Sequence, residues 1–198
     1  MSAAVVERNS LTVEATRGDR LAVAIWALTT AIALAVLVLI IVAPLSQSGN
    51  HPGFSSTIYK AFSFICHQIP ERSFHVAGHP FAVCSRCTGL YAGFALAALI
   101  YPLARSLKRA DTPRRIWLIL AAVPLLIDFA LGYFSIWENT HLSRFLTGAL
   151  LSSVAVFYIM PGLIELTHMI AGPLARKSRI IRMISIPHSG PQNLPEQE

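Results

Sequence analysis

The sequence predicts an all-α integral membrane protein. Its expected form is an antiparallel four-helix transmembrane bundle with a short extracytoplasmic interfacial helix and a Cys-rich cap. Three observations predict this. Apolar residues fill 54% of the 198 positions and charged residues only 13%, against about 25% charged in an ordinary soluble domain. The apolar residues gather into four runs long enough to approach or cross a bilayer. The basic residues lie almost wholly on one side of those runs. A mean hydropathy of +0.56 argues in the same direction, against a soluble enzyme, a disordered chain or a coiled coil. The length allows one domain and hardly two.

The first span is placed at 21–43. It holds no charged residue and would be roughly 34 Å long as a helix. That is too long for a signal-peptide core, and a polar stretch precedes it, so it reads as a retained span. Residues 1–20 are expected to form a disordered cytoplasmic tail. The second span covers about 88–104, the third 116–134 and the fourth 145–166, which makes 21–166 the membrane domain. Asp128 interrupts the third, and Glu165 closes the fourth. Residues 167–198 read as a basic, then disordered, cytoplasmic tail, with Pro187, Pro191 and Pro195 beyond Arg182. Gly89, Gly93 and Ala97 recur every four residues, as do Gly148 and Ser152. Small residues at that spacing let helix backbones approach closely in lipid.

The basic residues give the orientation. Arg8, Arg17 and Arg20 precede span one. Arg105, Lys108, Arg109, Arg114 and Arg115 separate spans two and three, and Arg176, Lys177, Arg179 and Arg182 follow span four. Only Lys60, Arg72, Arg86 and Arg144 remain for the other side. The positive-inside rule then predicts a multi-pass protein of the cell membrane with both termini in the cytoplasm. The net charge of +6 is explained by topology, so the expected partner is membrane lipid, with no nucleic acid.

The outer loop, 47–87, holds all three cysteines together with His51, His67, His75 and His79. Phe54, Ile58, Phe62 and Ile65 recur at helical spacing, which predicts a short helix on the membrane surface, capped by Ser55 or Ser56. Next comes Cys66-His67-Gln68-Ile69-Pro70-Glu71-Arg72-Ser73-Phe74. After nine intervening residues comes Cys84-Ser85-Arg86-Cys87-Thr88-Gly89, opening span two. A C-x-x-C at a helix start places two sulfurs within reach of one ion, and the helix N-terminus favours their thiolates. Cys66 lies 18 positions before Cys84, near the spacing between the arms of a zinc site. The expected ligands of a zinc ion are Cys66, Cys84, Cys87 and His67, with His75 and His79 open as the fourth. The competing chemistry is redox. Thiols outside the cytoplasm persist as disulfides, and a four-helix membrane protein with an outer C-x-x-C looks like the quinone-coupled thiol oxidoreductases. In that reading Cys84 and Cys87 are the working pair. A third reading is a non-enzymatic assembly factor whose zinc only folds the cap.

A second cluster is expected on the same face. Asp128 lies roughly 18 Å along span three, where a carboxylate is costly unless paired or wetted. Arg144 opens span four and is the expected partner of Asp128. Arg86 stands inside the C-x-x-C, and Arg72 in the preceding loop. With Asn139 these arginines suggest a pocket for an anion, most simply a lipid phosphate. Asp128 would be its acid/base or would position an arginine. A metal with an open coordination position could activate water or polarise a phosphoryl oxygen.

The two cysteine motifs resemble those of a family of small bacterial and archaeal membrane proteins defined as a domain of unknown function. Asp128 and the Asn139…Arg144-x-x-Thr147-Gly148 stretch share in the resemblance, which spans about 54–166. It implies that the Cys, Arg and Asp positions are family hallmarks and names no substrate or reaction. The family often has glycine after the aspartate, where this chain has Phe129.

Overall fold

The computed structural model describes residues 3–49, 52–107 and 111–184, with side chains described for 18–49, 52–107, 111–167 and 169. Among the described residues, five helices appear in the order α1 Ala3–Ser48, α2 Pro52–Ser63, α3 Ser85–Ala104, α4 Ile116–Tyr133 and α5 His141–Ile184. Four of them contain stretches long and apolar enough to cross a membrane: Gly18–Ser48, Ser85–Ala104, Ile116–Tyr133 and His141–Thr167. Between α2 and α3 lie a 3-10 turn, Pro70–Arg72, and a two-stranded antiparallel hairpin, β1 His75–Val76 and β2 His79–Pro80. The hairpin was not expected. Its turn places Ala77 and Gly78 at positive φ, a geometry that glycine adopts without a steric cost.

Four boundaries differ from the sequence reading. The helix α1 begins at Ala3, so residues 3–20 continue the first helix instead of forming a separate disordered tail. The helix α5 continues past the apolar run to Ile184, so the basic segment is its extension. The disorder expected from Pro187 to Pro195 falls outside the described residues. The helices α3 and α5 start at Ser85 and His141, three and four residues before the expected spans, because their first turns are polar and hydropathy alone misses them.

Helices α3 and α5 form the tightest pair, and the small residues explain it. A Cβ at Gly89 would overlap the Phe145 backbone, and one at Gly93 would overlap Ala149 and the Ser152 hydroxyl. A Cβ at Gly148 would come within 2.5 Å of the Arg86 carbonyl oxygen. Ser153 Oγ donates to the Gly93 carbonyl at 3.1 Å. Helix α4 packs mainly on α5, and α1 packs on α3 and α2. Of α4 only Ala121 and Asp128 are buried, seven positions apart on one stripe. The large apolar side chains of its other faces, Leu120, Val123, Leu126 and Ile127 among them, are exposed, as a helix bordered by lipid requires.

Two prolines leave carbonyl groups without their helical donors, and other elements supply donors. Pro44 would leave the Ile40 oxygen free, and the Ala82 amide approaches it at 3.5 Å. Pro102 does the same for Ala98, whose oxygen accepts from Trp26 Nε1 at 2.7 Å. In an apolar medium an unpaired carbonyl costs several kcal/mol, so both bonds fix the placement of α1 against its neighbours. Ser55 is buried inside α2, not at its start, and donates to the Ala43 carbonyl at 2.9 Å. The expected Ser55 cap is therefore a clasp between α1 and α2.

Candidate metal and anion site

The first turn of α3 divides two clusters. Cys84 and Cys87, three positions apart, fall on one face of the helix. They pack with Ile58, Phe62 and Tyr91 beside the upper end of α1. Ser85 and Arg86 face α5 and α4.

On the first face, Cys66 meets Cys84 and Cys87, and the three sulfurs lie within 4.8 Å of one another. All three are free thiols. The turn after α2 builds this convergence. Gln68 adopts a left-handed backbone conformation, φ +52°, and its Nε2 donates to the Tyr59 and Ala82 carbonyls at 2.8 and 2.7 Å. It thereby ties the end of α2 to the segment entering α3, with Cys66 between them. The Cys84 amide donates to Cys66 Sγ at 3.3 Å. Hydrogen bonds from the Cys84 thiol and then the Cys87 thiol push the Cys66 thiol down to about 2, aided by the amides of Cys84 and Gln68 and opposed by burial. A thiolate ringed by donors is the form that ligates zinc. Tetrahedral Zn–S bonds of about 2.3 Å put sulfurs about 3.8 Å apart, within small side-chain adjustments of this arrangement.

His67 does not join the cluster. Its side chain is exposed, and among the described His, Cys, Asp and Glu residues only the three cysteines form such a group. His67 adjoins Cys66 on an irregular turn that sends neighbouring side chains apart. His75 and His79 sit on the hairpin and do not complete the group either. Among the described residues the donor set is three sulfurs with a fourth position open.

On the second face the expected Asp128–Arg144 pair does not form. Asp128 Oδ2 instead meets Arg86 Nη2 at 2.5 Å. Its Oδ1 accepts from Ser143 Oγ at 2.9 Å, and its backbone oxygen accepts from Asn139 Nδ2. The reason is geometric. Arg86 projects from the first turn of α3 toward α4, whereas Arg144 makes no ion pair among the described residues. Asn139 thus binds the Asp128 backbone. With both carboxylate oxygens occupied and 8% exposure, Asp128 holds Arg86 in place.

The arginines do gather. Arg72, Arg86 and Asp128 all act electrostatically on Arg144. The Nε atoms of Arg86 and Arg144 are buried without a hydrogen-bond partner. Three guanidinium groups against one carboxylate leave a surplus of positive charge. Arg86 also lies over the Phe129 ring, 5.5 Å from its centroid, so Phe129 contributes a cation–π contact. A cavity of about 420 Å³ opens beside Asp128, lined by Pro124, Leu131, Trp137, Asn139, Thr140 and Ser143. The sequence reading missed Ser143, Ser85, His141 and Gln68. Ser143 was legible as a hydroxyl beside Arg144. The other three act through backbone carbonyls or buried contacts that no spacing rule displays.

Fold and site together define a polytopic α-helical membrane protein with a three-thiol cluster and an arginine cluster at one end of its bundle. Residues 66–158 match the model of the DUF2085 family, described as predicted membrane proteins. An uncharacterised protein of Methanocaldococcus jannaschii is 36% identical over 125 residues, which cover 63% of this chain and 80% of that one. An uncharacterised protein of Methanothermobacter thermautotrophicus is 38% identical over 87 residues, 44% of this chain and 77% of that one. The chain belongs to the DUF2085 family. No solved structure matches it.

Proposed function

We propose that this protein carries a zinc-class metal ion on Cys66, Cys84 and Cys87 and binds a phosphate-type anion at the neighbouring arginines. Both sites would face out of the cell at the level of the lipid headgroups. The observation that carries the reading is the convergence of Cys66 with a C-x-x-C pair 18 positions away. Three thiolates, with no fourth side chain among the described residues, suit an ion that keeps one position for water or substrate. Such an ion would polarise a phosphoryl oxygen or activate water.

Arg72, Arg86 and Arg144 would hold the anion, a role their planar donor geometry suits. Asp128 would position Arg86, since both its oxygens are engaged. A lipid phosphate is the simplest ligand, because the arginines lie at the end of a membrane-spanning bundle. The outward orientation rests on the distribution of basic residues.

Metal analysis of protein purified without chelator tests the reading. One zinc per chain, with all three thiols protected from alkylation, is expected. Metal-free protein with a reducible Cys84–Cys87 bond would overturn it in favour of a thiol oxidoreductase. Bound zinc with no anion binding would leave only a structural ion, the case of an assembly factor.

A further inference from the structure

The start of α5 carries a histidine that the proposed site does not use. His141 Nδ1 lies 2.9 Å from Ser85 Oγ. Ser85 Oγ in turn donates to the Arg72 carbonyl oxygen at 2.9 Å. A hydroxyl has one proton, and a carbonyl can only accept. Ser85 therefore gives its proton to Arg72, and the contact with His141 runs the other way, from Nδ1–H to Oγ. Ser85 is fully buried, so water replaces neither partner. Phe74 lies against the imidazole with ring centroids 5.7 Å apart. Neutral His141 is thus held as the Nδ1–H tautomer, with the lone pair on Nε2. The residue is exposed, so Nε2 is not sealed inside the fold.

Its surroundings are those of the arginine cluster. Arg144 follows three positions on, along the same side of α5. Arg86 is the residue after Ser85, and Arg72 ends the chain of hydrogen bonds. The charged and titratable groups on the neighbouring segments include Glu71, Arg72, His75 and His79 of the cap, Cys84, Arg86 and Cys87 at the start of α3, Asp128 and Tyr133 of α4, Glu138 in the preceding loop and Arg144.

We propose that His141 is the proton-coupled contact of this anion site, which rests on the arginine-pocket reading above. Its protonated Nε2 donates to one oxygen of a tetrahedral dianion of the phosphate class held by Arg72, Arg86 and Arg144. Because Nδ1 is already committed, the added proton goes to Nε2 and leaves the Ser85 bond intact. Neutral His141 turns a lone pair toward the anion, and protonated His141 turns a charged donor toward it. Binding the anion therefore takes up one proton from solution.

Sulfate binding to the metal-loaded protein, followed by calorimetry between about pH 5.5 and 8, tests this. Sulfate stays dianionic throughout, so any slope belongs to the protein. Affinity should be highest at the acid end and about tenfold lower at the alkaline end, the equivalent of one charge-assisted hydrogen bond. His141→Asn keeps an amide donor for Ser85 but nothing at Nε2, and should bind weakly with a flat profile. His141→Gln sets a permanent donor near Nε2, and should bind with intermediate affinity and an equally flat profile. Unchanged thermal unfolding of both variants would show that α5 still starts correctly. A flat wild-type profile, or a slope that survives in His141→Asn, would overturn the histidine proposal while the arginine pocket stands. No sulfate binding at any pH would overturn the pocket and the proposal together. Displacement of sulfate by short-chain phosphatidic acid but not by glycerol phosphate would support the proposal with a lipid headgroup as ligand. Equal displacement would support it with a free phosphate ester, and displacement by neither would overturn the phosphate class.

Discussion

Replacing Asp128 by Asn should destabilise the protein through Arg86, not through Arg144. The carboxylate is 8% exposed and its partner 23%, at 2.5 Å. Removing one member of a buried pair leaves the other charge unpaired, at a cost of about 3–5 kcal/mol. The lower end applies here. Arg86 keeps some access to solvent, the amide oxygen of the new side chain can still accept from Ser143, and the Asn139 bond goes to the backbone. A loss of about 3 kcal/mol corresponds to a shift of roughly a hundredfold in the unfolding equilibrium. Reversible unfolding in mixed micelles would measure it. A double-mutant cycle then separates the two arginines. Asp128→Asn with Arg86→Gln should show a coupling of about 2 kcal/mol, because each single change already breaks the contact. Asp128→Asn with Arg144→Gln should show less than about 1 kcal/mol. Equal or reversed couplings would refute the assignment of Asp128 to Arg86.

Three further outcomes follow from the geometry. Each of Cys66→Ser, Cys84→Ser and Cys87→Ser should bring zinc content close to zero by elemental analysis, whereas His67→Ala should leave it unchanged; metal loss in His67→Ala would restore the histidine as a ligand. Gly93→Leu should cost at least about 2 kcal/mol, since the new side chain meets backbone that cannot rotate away. Gly162→Ala, inside α5 with nothing within 4 Å, should not destabilise and should gain up to about 1 kcal/mol in the same unfolding assay. Topology reporters placed between α3 and α4 and after α5 should read cytoplasm, and one between α1 and α2 should read the outside; a reversed pattern would remove the basis for an outward-facing site.

What the sequence displays and what it conceals divide along physical lines. The four spans were legible because lipid leaves a long apolar run little choice but helix. The close approach of α3 and α5 was legible in Gly89, Gly93 and Gly148, because the absence of a side chain is itself the packing feature. The meeting of Cys66 with Cys84 and Cys87 was anticipated from residue type and spacing. The partner of Asp128 was not, because Arg86 and Arg144 both approach its depth and only the rotation of α3 decides between them. Gln68 and Ser85 escaped notice for another reason. Each works by bonding to a carbonyl, and backbone acceptors have no sequence signature.

Residues 84–87 carry members of both clusters. A single helical turn presents Cys84 and Cys87 to one side and Ser85 and Arg86 to the other, so the position of that turn sets both sites at once. Its thiol face packs against Cys66, α2 and the end of α1, and a bound ion would add three strong bonds there. Its opposite face is held by Asp128, His141 and the Arg72 carbonyl. Small displacements of the turn on metal loss would therefore reach Arg86 and His141 directly, through one backbone segment rather than through a relay of side chains. Apo-protein should accordingly bind sulfate more weakly than metal-loaded protein. The reciprocal must also hold, since coupling between two binding events is symmetric: saturating sulfate should tighten zinc by the same factor. Equal sulfate affinity in the two forms would mean that the first turn of α3 is rigid without its metal, and that the clusters are neighbours with independent roles.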